Sequence, residues 1–149
     1  MNQNNIWEKI DFTEQPDESA YDLLAPQAEL LSKLTEGVLK MELYAIDSVL
    51  GQEPPIPVAV YSLYVVAPHL GNFKRKIIAV LEGRHTGRFP VDIYCEIDQI
   101  KDEGIEKDNF VEKVTEIMSR EAVKRTIENL YRQSREHLRS LSNKQKPIA

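Results

Sequence analysis

Cysteine and histidine are scarce in this chain of 149 residues, and each scarcity removes a class of structure. The single cysteine, Cys95, has no partner for an internal disulfide, so packing must hold the fold, and a reducing compartment is the simpler inference. The three histidines, His69, His85 and His137, have no spacing that would place two of them on one helix face. We therefore expect no zinc site, and no other cofactor motif is complete.

Long apolar runs are also absent from the sequence. None approaches the ~20 residues of a membrane-spanning helix. Residues 1–7 lack the cationic start and the apolar stretch of a secretory signal. We therefore expect a cytoplasmic protein that does not contact membranes. Hydrophobic residues make up 42% of the chain, which is enough for one packed domain.

The net charge of −5 hides a sorted distribution of charged residues. Acidic side chains dominate residues 1–36 and 96–116, whereas residues 119–146 carry eight basic and three acidic side chains. The favoured interpretation is a solvated basic helix near the acidic segments. The alternative is an anionic partner, which the overall acidity of the chain opposes.

The order of the predicted elements indicates the α+β class. We interpret residues 1–16 as an N-terminal arm, 17–142 as a single α+β domain and 143–149 as a C-terminal tail. The first helix begins at Asp17 or Asp22, either of which can cap its first turn, and Gly37 ends it after Thr35. Residues 109–141 have an amphipathic pattern that predicts one bent helix or two, packed on one face of the sheet.

Four β-type runs lie between the helical regions, at 38–45, 58–67, 73–82 and 91–98. In the first run the alternation slips near Ile46, Asp47 and Ser48, which predicts a bulge or the end of the strand. The second run is apolar on both faces, which is typical of an inner strand or one covered on both sides. The connections are too short for helical crossovers, so we predict a four-stranded antiparallel meander.

The connection between the third and fourth runs has the composition of an anion site. Two glycines frame residues 83–87, and the candidate ligands of the loop are Arg84, His85, Thr86 and Arg88. The spacing matches neither a phosphate loop nor a dinucleotide fingerprint. Hairpin loops often carry glycine and arginine for solubility alone, and this simpler interpretation is favoured.

Three carboxylates near the fourth run are the candidate ligands of a divalent metal ion: Glu82, Asp92 and Glu96. A metal-dependent phosphodiesterase-like hydrolase would need them to converge. An alternating acidic face is also typical of a solvent-exposed strand, and we favour that interpretation. We likewise favour a buried structural role for Cys95 over a catalytic one.

Nucleic-acid binding is an alternative because basic residues recur in three places. These are Lys74, Arg75 and Lys76 at the start of the third run, Arg84 and Arg88 in the loop after it, and Lys124, Arg125, Arg132, Arg135 and Arg139 in the C-terminal helix. Glutamates interrupt the basic helix, so this alternative is possible but not favoured.

The leading interpretation is a non-enzymatic protein-binding or assembly module without a cofactor, whose partner is another protein or a second copy of the chain. Two observations support it: the second run has no polar face, and the arm is more apolar than a solvated tail. The candidate interface residues are Trp7, Phe12, Tyr61 and Tyr64, with only one of the two tyrosine faces expected to be open.

Overall fold

A computed structural model of the chain describes residues 7–10, 18–85 and 87–144. Most of the predicted arm and residues 145–149 of the predicted tail lie outside these ranges. The elements, in chain order, are α1 (Ala20–Leu34), β1 (Lys40–Leu50), β2 (Ile56–Ala67), β3 (Phe73–Glu82), β4 (Val91–Cys95), β5 (Lys101–Ile105), α2 (Lys107–Met118) and α3 (Glu121–Lys144). The predicted α+β class with an antiparallel sheet is confirmed.

The helix α1 begins at a capping box between the two predicted start positions. The Ser19 hydroxyl accepts a hydrogen bond of 3.1 Å from the amide of Asp22, and the Asp22 carboxylate accepts one of 2.9 Å from the amide of Ser19. Pro26 lies inside this helix and cannot donate to the carbonyl of Asp22, four residues earlier. Because Asp22 is exposed, water can reach the unpaired carbonyl.

The sheet is a five-stranded meander in the order β1-β2-β3-β4-β5, with every neighbouring pair antiparallel. The fifth strand was not predicted. The fourth strand ends at Cys95 instead of Asp98, because the amide of Cys95 donates to the carbonyl of Ile100 across a tight turn. This turn brings Lys101–Ile105 alongside β4 as the last strand.

All three helices cover the same face of the sheet. A groove of about 340 Å³ between α1 and α2 has side chains of β1 and β2 as its floor and Ile127 of α3 in its wall. Phe110 and Ile117 of α2 and Val123 of α3 are fully buried in the core formed there. The predicted packing of the helices on one sheet face is therefore confirmed.

Residues 109–141 belong to two helices, which resolves the alternative left open by the sequence. The helix α2 ends at Ser119, whose amide donates to the carbonyls of Thr115 and Glu116. The helix α3 then begins at Glu121 and continues to Lys144. Among the helices of the described ranges, none combines the length and the apolar content needed to cross a membrane.

Candidate functional site

The second face of the sheet is not covered by any helix in the described residues. Along β2, Tyr61, Leu63 and Val65 point to the helices, and the residues between them point to the other side. Cross-strand pairs extend that other side over β1, β3 and β4. We call this surface the open face and define it by the apolar and aromatic members that are at least partly exposed, which are Tyr44, Ile46, Val60, Tyr64, Ala79, Leu81 and Tyr94. Val58 and Val66 share this face but are buried.

The centre of the open face is a shallow depression of about 280 Å³. It is lined by residues of β2, β3 and β4 and by the first residue of β5, which are Val60, Ala79, Leu81, Asp92, Tyr94 and Lys101. Only Asp92 and Lys101 are charged, and Asp92 is already hydrogen-bonded within the chain. The surface of the depression is therefore mainly apolar.

An aromatic pair lies near one end of the open face. The rings of Tyr44 and Tyr64 meet edge to face at 5.4 Å between centroids. The ammonium of Lys74 lies 2.9 Å from the Tyr44 hydroxyl and 2.7 Å from the carboxylate of Glu42. The hydrogen bond to Glu42 is the main cause that raises the pKa of Lys74. The charge of Lys74 is thus balanced locally, beside the two rings.

The strand β1 forms one edge of the sheet and has β2 as its one strand neighbour among the described residues. Residues 44–49 are exposed on both faces of the strand. Ile46 on the open face and Val49 on the helix side are each 60% exposed. We call the unpaired side of residues 40–50 the β1 edge.

The predicted interface residues fall in different places. Tyr64 lies on the open face, whereas Tyr61 lies in the core beneath α1, where its ring contacts Tyr21 at 5.7 Å between centroids. Trp7 is 58% exposed in the short turn at 7–10, and Phe12 lies outside the described residues. Tyr61 and Tyr64 therefore lie on opposite faces of the sheet, and the role of these residues in an interface stays a prediction.

The hydroxyl of Tyr61 serves a buried carboxylate. It donates a hydrogen bond of 2.5 Å to Glu82, which also lies 3.4 Å from the amide of Ala20 at the start of α1. Burial, together with the adjacent carboxylate of Glu82, raises the pKa of Tyr61 to about 12. The contact joins β2, β3 and α1 in the interior, which indicates a structural role for both residues.

Two members of the predicted anion loop contact a carboxylate of their own chain. The guanidinium of Arg84 lies 3.0 Å from Asp92, and Nε2 of His85 lies 3.2 Å from the other oxygen of that carboxylate. Arg88 is exposed and lines a separate cavity of about 510 Å³, and Thr86 lies outside the described residues. The three described residues, Arg84, His85 and Arg88, are thus not gathered at one site, and anion binding stays a prediction.

Asp92 is only 2% exposed and is the centre of this loop's contacts. Besides Arg84 and His85, it accepts a hydrogen bond of 3.0 Å from the amide of Gly104 in β5. Burial by itself would raise the pKa of Asp92, but these hydrogen bonds and the charge of Arg84 outweigh it and hold the pKa below its ordinary value. Asp92 thereby connects the loop to the last strand.

The three predicted metal ligands do not converge. Glu82 lies on the helix side of the sheet with Tyr61, whereas Asp92 lies on the open face. Glu96 forms an ion pair of 3.5 Å with Lys76. Within residues 7–10, 18–85 and 87–144, no group of three metal-ligating side chains is close enough to hold an ion. The geometry that a metal-dependent hydrolase needs is not formed by these residues.

The basic helix balances part of its own charge. Arg125 pairs with Glu121 at 2.7 Å, and Lys124 pairs with Glu128 at 3.9 Å, one turn apart along α3. No ion pair joins this helix to residues 18–36 in the part of the chain that the structure describes. Among the described residues, ion pairs join the basic stretch 119–146 to the second acidic segment, where Arg120 contacts Asp98, Asp102 and Glu116, and not to the N-terminal segment.

The β1 edge is the feature that the sequence pattern missed. Instead of a bulge or an end near Ile46, β1 continues to Leu50 and pairs with β2 without a shift of register. The signal was present in the β-branched residues Ile46 and Val49, whose type favours a strand even where the alternation is imperfect.

Comparisons of the chain with protein-family models, curated proteins and solved structures give no match.

Proposed function

We propose that the chain is a non-enzymatic module that binds another protein or assembles with itself through the open face and the β1 edge. The observation that carries the proposal is the one-sided covering of the sheet. Three helices bury one face, while the other face leaves a continuous set of apolar and aromatic side chains without a covering element in the described residues.

Contiguous exposed apolar surface usually marks an interaction site, whereas single exposed apolar side chains are ordinary. Here the apolar residues are contiguous: Ile46 is opposite Val60, and Val60 is opposite Leu81 on the next strand. Tyr44, Tyr64 and Tyr94 add aromatic rings, which are enriched at the centres of protein interfaces. A partner that covered this face would bury these side chains together.

The two alternative functions find less support in the same geometry. Anion binding by the loop would have to compete with Asp92 for Arg84 and His85. A hydrolase would need carboxylates that share one site, and Glu82 and Asp92 lie on opposite faces of the sheet.

A matched pair of variants tests the proposal. Ile46→Lys places a charge on the open face at a side chain that is already 60% exposed, and Leu34→Lys places the same charge at the end of α1, where the side chain is 82% exposed. We expect both variants to keep the wild-type circular dichroism spectrum. We expect Ile46→Lys alone to weaken binding of the partner, by at least about tenfold, because an ammonium must then be buried without a counter-charge.

The partner for this test is identified by cross-linking and then purified, with the second copy included as a candidate. Binding is measured with purified components by light scattering and titration calorimetry. The proposal is wrong if every partner found, including a second copy, binds wild type, Ile46→Lys and Leu34→Lys with equal affinity.

A further inference from the structure

We infer that the partner is a second copy of this chain and that the two β1 strands pair antiparallel along their free edges. The result is one continuous sheet of ten strands with both open faces on the same side. This inference rests on the proposed function and makes it more specific.

The two edges of the sheet are built differently. The edge strand β5 has five residues, three of them charged, and Gly104 interrupts it with a φ of +70°. Its pairing with β4 also shifts register between Val91 and Ile93. Short length, charge and irregularity are the usual protections against edge-to-edge pairing. β5 is thus a protected edge.

The strand β1 has fewer of these protections along its centre. It has eleven residues, contains no glycine or proline, and pairs with β2 in eleven consecutive positions without a shift. Between Leu43 and Leu50 its only charged side chain is Asp47. A long, regular and apolar free edge is the kind of strand to which another strand adds.

The helix layer stops short of this segment, which leaves it exposed on more than its edge. Residues 44–49 are exposed on the open face and on the helix side as well. Ile46 and Val49 point to opposite faces, so a strand added to the β1 edge would place side chains beside both of them.

A copy of β1 fits its own edge without opposing like charges. A two-fold axis through Ala45 places each residue before Ala45 opposite the residue of the second copy that lies equally far after Ala45. The two side chains of each such pair lie on the same face of the sheet. Tyr44 then lies opposite Ile46 of the second copy, and Glu42 lies opposite Ser48. Each of these pairs occurs twice, and the apolar stripe of the open face continues across the junction.

The antiparallel arrangement also explains how such an edge avoids pairing with further chains. Two identical strands related by a two-fold axis use the same surface on both copies, so the pairing closes at two chains. The remaining ends of the ten-stranded sheet are the two protected β5 strands. The two unprotected β1 edges pair with each other, and the dimer has no other unprotected edge.

Cysteine cross-linking of the full chain tests the register. The native Cys95 is fully buried and provides a silent background. Ala45→Cys places two thiols opposite each other at the two-fold axis, with Cβ atoms about 5 Å apart. We expect mild oxidation to form a disulfide dimer from this variant and not from the control Leu34→Cys. Light scattering of the wild type should show a mass that rises to twice the monomer with concentration.

Val49→Lys supplies the second measurement, because it adds a charge to the β1 edge on the helix side and leaves the open face unchanged. We expect it to shift the dimer towards the monomer by at least about tenfold in dissociation constant. The inference is overturned if the wild type is monomeric at all concentrations and if cysteines at 44, 45 and 46 all fail to cross-link. It is also overturned if dimers appear only after residues 1–14 are deleted, since the arm would then occupy the edge.

Failure here differs from failure of the proposed function. If the chain stays monomeric but a different protein binds it and Ile46→Lys abolishes that binding, the second copy is excluded and the binding module stands. If no protein of either kind is sensitive to Ile46→Lys, both proposals fail.

Discussion

The hydroxyl of Tyr61 donates a hydrogen bond of 2.5 Å to the buried carboxylate of Glu82. Glu82 also lies 3.4 Å from the amide of Ala20, so one carboxylate connects two strands to the first turn of α1. No ion pair neutralises Glu82 among the described residues. The stability of this corner of the core therefore depends on neutral donors.

The variant Tyr61→Phe tests this dependence. It leaves the ring in place and removes one of the two donors to a buried carboxylate, so we expect the free energy of unfolding to fall by about 1–3 kcal/mol. Urea denaturation followed by circular dichroism gives the value. Tyr64→Phe is the matched control, because the Tyr64 hydroxyl makes no hydrogen bond with the described residues, and we expect a change under about 0.5 kcal/mol. Equal effects of the two substitutions would contradict the role of the Glu82 contact.

The second prediction concerns Asp92 and acid. Asp92→Asn removes the charge that Arg84, His85 and the amide of Gly104 stabilise, and we expect it to lower the free energy of unfolding by about 2 kcal/mol at about pH 7. The pKa of Asp92 in the folded chain lies below its ordinary value of 3.8, so its contribution is complete above that value. It is lost as the pH falls through the folded-state pKa.

The difference between wild type and Asp92→Asn should therefore shrink between about pH 5 and about pH 2. Urea denaturation at a series of pH values measures it. Other carboxylates with lowered pKa values are present in both proteins, so their contributions cancel in the difference. A difference that stays constant down to the lowest pH would show that the charge of Asp92 does not carry its effect.

The third prediction concerns the ion-pair cluster around Arg120. Its guanidinium lies 3.3 Å from Asp98, 2.9 Å from Asp102 and 3.1 Å from Glu116, which connects the β4–β5 turn, β5 and α2. The hydrogen bonds to Glu116 are the main cause that raises the pKa of Arg120. Because the side chain is only 17% exposed, we expect Arg120→Ala to lower the free energy of unfolding by about 1–3 kcal/mol.

The control for this measurement is Arg125→Ala on α3. Arg125 also forms an ion pair, with Glu121, but its side chain is 70% exposed. Exposed pairs contribute little, so we expect a loss of at most about 0.5 kcal/mol. A loss as large as that of Arg120→Ala would mean that burial does not determine how much these ion pairs contribute to the free energy of unfolding.

The fourth prediction concerns Gly83, where the chain leaves β3. Its φ is +107°, and a Cβ atom added there would lie 3.1 Å from the carbonyl oxygen of Pro57. We expect Gly83→Ala to lower the free energy of unfolding by about 1–3 kcal/mol, because the backbone conformation and the close contact both oppose a side chain. Gly51→Ala, at a position with no atom within 4 Å of the added Cβ, should change it by less than about 0.5 kcal/mol. Thermal and urea unfolding of both variants compare the two sites.

Much of the fold follows from local patterns in the sequence. The second β-type run, which lacks a polar face, predicted an inner strand, and β2 has a strand on each side. The short connections force antiparallel neighbours, and the amphipathic C-terminal region packs as helices. These features depend on residues close together in the chain, so local sequence patterns are enough to predict them.

The fifth strand and the long edge could not be predicted in the same way. Lys101–Ile105 has no strand pattern of its own, and its position depends on the backbone of β4 and on the bond from Gly104 to Asp92. The second half of β1 pairs because β2 provides a template of twelve residues. Such pairings depend on contacts between distant parts of the chain, which local propensity does not contain.

The sequence predicted the residue types of the candidate site better than their positions in the fold. Tyr64 lies on the open face as one alternative required, but Tyr61 belongs to the core, because strand alternation places it three residues away on the opposite side. The charged side chains that are neighbours in the sequence either lie on opposite faces of the sheet or form ion pairs with one another. Only the register of the strands decides which of these occurs.

The fully buried Cys95 makes this chain report on its own fluctuations. It is the only thiol, it lies in β4 between the centre of the sheet and the last strand, and burial raises its pKa. A bulky thiol reagent can react with it only during an opening of that part of the sheet. The rate of labelling in the native state therefore counts how often the core around Cys95 opens, without any added probe.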